Sequence, residues 1–334
     1  MATVGALRIV RAEGSARQRG REVGLALGDL VHRSLAFYRE LFAESGIELE
    51  SALVPYLAAA RKHLPEHVSW LEALAETAEV PASELFAVNA YEELESRPER
   101  CSTFVVAGDG ATLLGHNEMW LAGDAGNVAL VLERPDEGVP VASPTVACCL
   151  PAVGMNGHRV AQGIDSLSAR DDRVGIPRVL VSRHALEASD PGDAQRRATL
   201  ADRAGGYAHV FAFPNTGALI VETSAEQEAT VANPRAHTNH YLDESLAALA
   251  DPPSASSAGR YARLRELLDE HRPATPEAGM EVLRQEAAGH ANEEADTVVV
   301  FSMLCDVESG RMWVAPGDPS ATPFEEVDLE GVLP

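Results

Sequence analysis

The segment Arg100-Cys101-Ser102-Thr103-Phe104-Val105-Val106 is the most informative part of the sequence, because it places a thiol directly before a run of β-prone residues. Gly108-Asp109-Gly110 predicts a turn after this run, and Thr112-Leu113-Leu114-Gly115-His116-Asn117 predicts the strand that returns. The segment before the thiol, Glu95-Ser96-Arg97-Pro98-Glu99-Arg100, is polar and contains proline, which is typical of an exposed linker. The sequence therefore predicts a β-hairpin that begins with a cysteine and follows an accessible linker.

The chain before this linker is predicted to be almost wholly helical. Ser15 is a plausible N-cap for the first helix, whose apolar residues recur at helical spacing. Gly20, Gly24 and Gly28 lie on one side of this helix, and each costs about 1 kcal/mol relative to alanine. We therefore expect that side to pack closely against another element. The helices are predicted at Ala16–Phe42, Ser51–His63, Val68–Thr77 and Ala82–Glu93.

The chain after the linker is predicted to be rich in strands. Strands come in runs and helices in pairs, which favours a layered α+β fold over a doubly wound sheet. Helices are expected near Pro177–Ala188, Ala194–Ala204, Arg260–Glu270 and Pro276–Ala288. Strands are expected near Ser102–Ala107, Thr112–His116, Val128–Glu133, Thr145–Leu150, Arg159–Ile164, Ala208–Phe213, Ala218–Thr223, Ala229–Ala232, Thr297–Leu304 and Arg311–Val314.

Composition narrows the class of protein. The 334 residues suffice for one large or two modest domains, and 46% hydrophobic with 23% charged residues is ordinary for a globular protein. The formal charge of −24 argues against nucleic acid and anionic membranes as partners. No apolar run approaches the roughly 20 residues of a membrane span, and the first residues lack a secretory signal. We expect a cytoplasmic protein.

The four cysteines are too few for a disulfide framework and have no metal-ligand spacing, so no metal is expected. Cys148, Cys149 and Cys305 lie in or beside apolar segments, as small buried residues do. Cys101 differs, because charged and small polar residues surround it. The histidine pairs His63/His67 and His237/His240 are not predicted to bind zinc, since Pro65 disturbs the first pair and no acidic or cysteine residue accompanies the second.

A nucleophilic thiol must first lose its proton. If the chain is cut before Cys101, the freed α-amino group, with a pKa near 8, becomes a built-in base. The same thiol can make the cut by attacking the carbonyl of Arg100 in an N→S acyl shift. Acyl transfer also needs donors for the oxyanion, and the candidates are Asn239, Asn117 and Asn156, although isolated asparagines more commonly form turns.

Several motifs, taken in order, resemble the isopenicillin-N (acyl-CoA:6-aminopenicillanic acid) acyltransferase family of self-processing cysteine N-terminal-nucleophile (Ntn) hydrolases, which includes hydrolases of β-alanyl amines. The resemblance implies a four-layered αββα sandwich, with the Cys101 thiol as nucleophile and Asn239 in the oxyanion hole. The motifs are Gly14–Gly28, Asn89-Ala90-Tyr91-Glu92, Cys101-Ser102-Thr103, Gly115-His116-Asn117, Gly154-Met155-Asn156, Gly175-Ile176-Pro177 with Arg183, His237-Thr238-Asn239-His240, Ser257 with Arg260, Thr297–Asp306 and Gly317-Asp318-Pro319.

The sequence departs from this family near the expected pocket. Met119 stands where many relatives carry an acid, and the adjacent Glu118 is expected to point to the opposite face of its strand. Asp165 and His209 stand where relatives often have asparagine, and Ser102 replaces the commoner threonine. We therefore expect Ser102, Asn117, Glu118, Met119, Asn156, Asp165 and His237 in or near the pocket.

The resulting hypothesis is a self-processing acyltransferase or amidohydrolase that forms or cleaves a small-molecule amide through a Cys101 acyl-enzyme. Residues 1–100 would be a helical segment cut before Cys101 but retained, and residues 101–334 the catalytic chain, together one Ntn domain. No cofactor is expected, although an acyl-CoA or carrier-protein thioester can serve as co-substrate, and the protein is a candidate homo-oligomer.

Two alternatives remain open from the sequence. One is an uncleaved, non-catalytic homologue that acts as a binding protein, which Met119 and Asp165 favour. The other is a conventional Cys-His hydrolase that uses His116, His237 or His240 and needs no chain cleavage. A structural role is favoured over a pocket role for each of Arg183, Arg260 and Glu222.

Overall fold

The computed structural model describes residues 7–95, 101–108, 110–232, 235–289 and 296–333. The proposed cleavage residue Arg100, most of the predicted linker and Asp109 of the predicted turn lie outside the described residues. The hairpin itself is confirmed, because strand β2 (Ser102–Gly108) pairs with strand β3 (Ala111–Leu121) from Ser102 opposite Asn117 to Gly108 opposite Ala111.

The first long helix begins and packs as its sequence predicts. Helix α1 (Ala16–Ser45) starts at Ser15, whose hydroxyl and the Gln18 side chain form a capping box. A Cβ atom on Gly20 would lie 2.2 Å from the carbonyl oxygen of Trp70, and one on Gly24 would lie 2.2 Å from the hydroxyl oxygen of Thr77. The predicted close packing is therefore confirmed at these two glycines. The helices that follow are α2 (Leu49–His63), α3 (Pro65–Ala78), α4 (Ala82–Val88) and α5 (Tyr91–Leu94).

The predicted helix Ala82–Glu93 is in fact two helices, because Asn89 bonds to a distant segment. Its amide nitrogen donates to the carbonyl oxygen of Cys148 over 2.9 Å. Its amide oxygen accepts from the backbone N–H of Leu150 over 2.7 Å. These bonds fix the end of α4 against the chain that follows strand β5 and so position the short helix α5.

The prediction of an almost wholly helical first hundred residues is wrong at its start. Strand β1 (Arg8–Gly14) pairs in parallel with strand β4 (Val128–Pro135) at the edge of a large sheet. Only Val10 and Ala12 among its central residues are buried, so the strand has little of the hydrophobic pattern that would reveal it. The N-terminal segment therefore contributes a strand to the same sheet as the rest of the chain.

The described strands form two sheets. The larger has the order β1-β4-β5-β6-β7-β8-β9-β10, and the smaller has the order β11-β2-β3-β12-β13-β14. The predicted strand Thr145–Leu150 lies earlier than expected, at Val141–Val146. The remaining strands are β2 (Ser102–Gly108), β3 (Ala111–Leu121), β5 (Val141–Val146), β6 (Gly154–Asn156), β7 (Ala161–Leu167), β8 (Gly206–Phe213), β9 (Gly217–Thr223), β10 (Glu228–Thr230), β11 (Ala236–His237), β12 (Thr297–Asp306), β13 (Arg311–Ala315) and β14 (Glu325–Glu326).

The two sheets pack face to face, with β2 and β3 against β7, β8 and β9, and helices cover both outer faces. Two later helices, α9 and α10, cover the smaller sheet, while α6 and α7 cover the larger. The predicted α+β, four-layered αββα architecture is confirmed. The later helices are α6 (Arg178–Leu186), α7 (Pro191–Ala198), α8 (Glu244–Ala247), α9 (Ala255–His271) and α10 (Pro276–Ala288).

A buried carboxylate joins the N-terminal helices to the larger sheet. Glu133 on β4 accepts from Trp70 over 2.5 Å and from Arg183 on α6 over 2.5 Å, and it pairs with Arg19 on α1 at 3.3 Å. Arg183 thus has the structural role that the sequence predicted. Among the described residues no helix is both long enough and apolar enough to cross a membrane.

Candidate active site

The thiol of Cys101 lies at the entrance of strand β2, buried and facing the opposite sheet. Its Sγ is 3.3 Å from Oε1 of Glu118 and 3.8 Å from the carbonyl oxygen of Met119. Because Ser102 pairs with Asn117, the same register sets Cys101 opposite Glu118, and opposite residues share a face of the sheet. The expectation that Glu118 points away from the nucleophile is therefore wrong.

Met119 is the residue that points away. Its side chain packs with Ala287 of α10 and Val299 of β12 on the other face of the smaller sheet. The carboxylate beside the thiol therefore comes from position 118, and position 119 contributes to packing.

Behind Glu118, a line of hydrogen bonds runs along the same face of the hairpin. Oε2 of Glu118 lies 2.9 Å from Nε2 of His116, and Nδ1 of His116 lies 2.8 Å from the hydroxyl oxygen of Thr103. The facing strand β7 carries Gly163 here. A Cβ atom on Gly163 would lie 2.7 Å from the methyl group of Thr103 and 3.1 Å from Nδ1 of His116. The absence of a side chain at this position lets the two sheets close over the imidazole.

Ser102 and Asn117 lie on the opposite face of the hairpin, beneath helix α10. The Ser102 hydroxyl donates to Glu286 over 2.6 Å. The Asn117 amide nitrogen donates to Glu286 over 2.6 Å and to the carbonyl oxygen of Leu283 over 3.1 Å. The structure therefore directs both polar side chains away from the thiol, toward packing of α10 on the sheet.

Arg260 links Asn239 to Cys101. One guanidinium nitrogen donates to the carbonyl oxygen of Cys101 over 2.5 Å, and the other donates to Oδ1 of Asn239 over 2.8 Å. The amide nitrogen of Asn239 donates to the carbonyl oxygen of Ser166 over 3.1 Å. The guanidinium group of Arg260 thus bridges Cys101 and Asn239, the predicted oxyanion residue. The sequence favoured a structural role for Arg260 over a pocket role and did not reveal this bridge.

A buried charge cluster supports the loop that carries Asn239. Nε2 of His237 lies 2.8 Å from Glu222, and Nδ1 lies 3.5 Å from Asp165. Burial alone would lower the pKa of His237, but the hydrogen bond to Glu222 and the charge interactions with Asp165 and Glu222 outweigh burial and raise the pKa to about 9. Glu222 also accepts from the backbone N–H groups of Leu242 and Asp243. One carboxylate therefore holds both ends of the Asn239 loop.

Asn156 and His209 lie away from the thiol. The amide of Asn156 donates to the carbonyl oxygens of Leu186 and Ala188, each over 2.7 Å, so it secures the end of helix α6. The ring of His209 stacks on Phe211 with an interplanar angle of 9°, and burial lowers its pKa to about 3. The structure assigns both residues to packing.

A mostly apolar pocket opens beside Cys101. Its polar side is dominated by Glu92, which accepts from Ser166 over 2.5 Å and from the Tyr207 hydroxyl. Glu93 follows and pairs with Arg178 at 2.9 Å. The sequence singled out Glu92 within a motif but did not place it in the pocket. The apolar lining comprises Val88, Trp120, Pro144, Val146, Cys149, Leu150, Ala152, Val153, Ile164, Val179 and Phe301.

Residues 106–321 match the model of the family described as acyl-coenzyme A:6-aminopenicillanic acid acyl-transferase. The chain belongs to this acyl-transferase family. The resemblance drawn from the sequence is confirmed by a match over more than half of the chain. The matched residues begin after Cys101, so the assignment of this acyl-transferase family member's nucleophile depends on the geometry described above.

Solved structures with similar folds were also found. One is penicillin V acylase from Agrobacterium tumefaciens, at 11% identity and a TM-score of 0.49, covering 69% of this chain and 86% of that one. Another is a mutant conjugated bile acid hydrolase from Clostridium perfringens, at 12% identity and a TM-score of 0.42, covering 70% of this chain and 98% of that one. No curated protein matched the sequence.

Within the described part of this acyl-transferase family member, two groups of side chains have the composition of metal sites. Cys101, His116 and Glu118 have ligand atoms within 4.8 Å of one another. Glu118, however, directs one oxygen to the thiol and the other to the imidazole, which indicates a hydrogen-bonded chain instead of ligands that converge on one ion. The second group, His67, His184 and Glu187, lies beside the guanidinium groups of Arg183 and Arg197, whose positive charge opposes a cation.

Proposed function

We propose that this protein is a self-processing Ntn acyltransferase or amidohydrolase that acts on a small-molecule amide through an acyl-enzyme at Cys101. The observation that carries the proposal is the position of Cys101. Cys101 directly precedes the hairpin strand β2, and its thiol lines an apolar pocket and contacts the carboxylate of Glu118. The peptide bond on its N-terminal side is the one whose cleavage would give it a free α-amino group.

After cleavage, the α-amino group of Cys101 takes the thiol proton, since its ordinary pKa near 8 suits a base at cellular pH. The thiolate attacks the acyl carbonyl and gives a tetrahedral oxyanion. An amide has two N–H donors, and Ser166 engages one donor of Asn239, which leaves the other for the oxyanion. The amine then departs with the proton, and water or a second amine releases the acyl group.

The lining of the pocket supports an apolar acyl group. Trp120, Ile164 and Phe301 offer hydrophobic contact, while the carboxylates of Glu92 and Glu93 occupy the polar side. An acyl-CoA or carrier-protein thioester remains a proposed acyl donor. The balance between transfer and hydrolysis would depend on how well the acceptor amine excludes water from the acyl-enzyme.

Neither alternative from the sequence has comparable support. The side chain against the Cys101 thiol is a carboxylate, and His116 reaches it only through Glu118, unlike a direct Cys-His pair. Met119 and Asp165 favour a non-catalytic homologue, but Glu118 places a carboxylate against the thiol and Asp165 pairs with the buried His237. Residues 1–100 as a cleaved but retained segment, the cytoplasmic location and a homo-oligomer remain proposals.

Intact mass under denaturing conditions tests the proposal. Wild type should yield two chains, 1–100 and 101–334, whereas Cys101→Ala should remain a single chain. A p-nitrophenyl acyl ester should then add one acyl mass to the 101–334 chain. Cys149→Ala is the matched control, since Cys149 lines the same pocket, and it should still cleave and acylate. A single full-length, unacylated chain in the wild type would contradict the proposal.

A further inference from the structure

Self-cleavage meets a problem that later turnover does not. Before the cut, the nitrogen of Cys101 is part of a peptide bond and cannot accept a proton, so the proposed base of the mature enzyme does not yet exist. Some other group has to take the thiol proton in the precursor. This inference rests on the proposed function and concerns that first step.

Among the described residues, Glu118 places its carboxylate in contact with the thiol. Oε1 of Glu118 is 3.3 Å from Sγ of Cys101, in a side chain that is only 13% exposed. A poorly hydrated carboxylate at this distance is suited to accept a proton from a thiol. The backbone of Cys101 is also fixed, because Arg260 donates to its carbonyl oxygen.

The rest of the hydrogen-bonded line orients this carboxylate. If the Thr103 hydroxyl donates to Nδ1 of His116, then Nε2 carries the proton and donates to Oε2 of Glu118. That pattern satisfies every donor in the line and leaves Oε1 to accept from the thiol. Both Thr103 and His116 are fully buried, and Gly163 allows the other sheet to hold the ring in place. The imidazole is therefore a positioning residue with little freedom to turn.

We propose that Glu118, held by His116 and Thr103, is the base that starts self-cleavage of the bond between Arg100 and Cys101. Glu118 takes the Sγ proton, and the thiolate attacks the carbonyl carbon of Arg100. Glu118 returns the proton to the Cys101 nitrogen as the C–N bond breaks and a thioester forms. Water then hydrolyses the thioester, which leaves a carboxylate on Arg100 and a free thiol and amine on Cys101.

The test follows cleavage of full-length protein made by cell-free synthesis, with intact mass measured over time. Glu118→Gln preserves shape and can still accept from His116, yet it cannot take a proton. It should slow cleavage by about 100-fold or more, the usual contribution of a general base. Glu281→Gln, a matched change on the outer helix α10, should cleave at the wild-type rate. Thr103→Val should slow cleavage by about 10-fold through the loosened imidazole.

Chemical rescue separates catalysis from folding. Glu118→Ala leaves space beside the thiol, and added formate should restore cleavage in a concentration-dependent way while acetamide should not. If the wild type cleaves and Glu118→Gln cleaves at the same rate, this inference is overturned and the proposed function is left intact. Slow cleavage in Glu118→Ala without formate rescue would also overturn it. A wild type that never cleaves would remove the basis of both proposals.

Discussion

The register of one strand pair determines which side chain lies against the Cys101 thiol. Cys101 lies opposite Glu118 because the hairpin pairs Ser102 with Asn117, so Met119 faces helix α10 and Glu118 faces the pocket. Side chains alternate between the two faces of a strand, so neighbouring positions such as 118 and 119 face opposite sides of the sheet. One side is the pocket, and the other packs against helix α10. The carboxylate in contact with the thiol is therefore that of Glu118.

Arg260 is expected to matter for turnover more than for substrate binding. Arg260→Lys keeps one positive charge but cannot reach both the Cys101 carbonyl oxygen and Asn239, because lysine lacks the forked guanidinium. We expect kcat to fall by about 10- to 100-fold, as when one oxyanion donor is displaced, with little change in KM. Steady-state kinetics on an activated amide measures this split. A rise in KM of the same size, with kcat unchanged, would contradict a role of the Arg260 bridge in turnover.

Glu133 is the residue on which we expect stability to depend most. Glu133→Gln would remove the buried carboxylate that Arg19 and Arg183 share, at a cost of about 3 kcal/mol. Urea unfolding measures the loss. Glu84→Gln is the control, because its pair with Arg39 is on the surface and should contribute less than about 1 kcal/mol.

At the scale of elements, strand β7 determines how closely the sheets approach. Gly163→Ala would force a methyl group against Thr103 and His116, and we expect a loss of about 1–3 kcal/mol together with slower self-cleavage. Gly259→Ala on helix α9 is the matched control, since a Cβ atom there meets no atom within 4 Å. That change should stabilise the protein by up to about 1 kcal/mol. Thermal unfolding and intact mass measure the two effects.

The free energy of unfolding should depend on pH through His237, which precedes the loop between β11 and α8. The pKa of His237 is raised to about 9 in the folded protein from an ordinary value of 6.5. Its stabilisation is therefore fully present below pH 6.5 and is lost as the pH rises to about 9, by on the order of 3 kcal/mol. His237→Gln should remove this decline. Urea midpoints at pH 6 and pH 9.5 in both proteins measure it, and parallel declines would contradict the assignment.

At the scale of the whole molecule, the segment before the linker should stay bound after cleavage. Strand β1 pairs with β4, and Arg19 and Trp70 both contact Glu133 across the same boundary. We expect the 1–100 and 101–334 chains to co-elute in native size exclusion and to separate only in denaturant. Separate native elution would show that the boundary is weaker than these contacts indicate.

The sequence predicted those features that depend on local chemistry. The hairpin at Cys101, the capped helix after Ser15 and the close packing at Gly20 and Gly24 each follow from residues near one another. Strand β1 was missed because its alternation is weak, and its pairing with β4 depends on residues more than a hundred positions away. The face of Glu118 and the bridge made by Arg260 were missed because they depend on strand register and on the docking of α9.

Strands β1 and β4 lie on opposite sides of the bond between residues 100 and 101. While that bond is intact, their pairing is an event within one molecule and is independent of protein concentration. Once it is cut, the same pairing must occur between two molecules, and dilution opposes it. A processed sample that is denatured and diluted should therefore recover less activity than a precursor treated identically. The two chains of the cleaved protein would thus refold together less efficiently than the precursor chain folds.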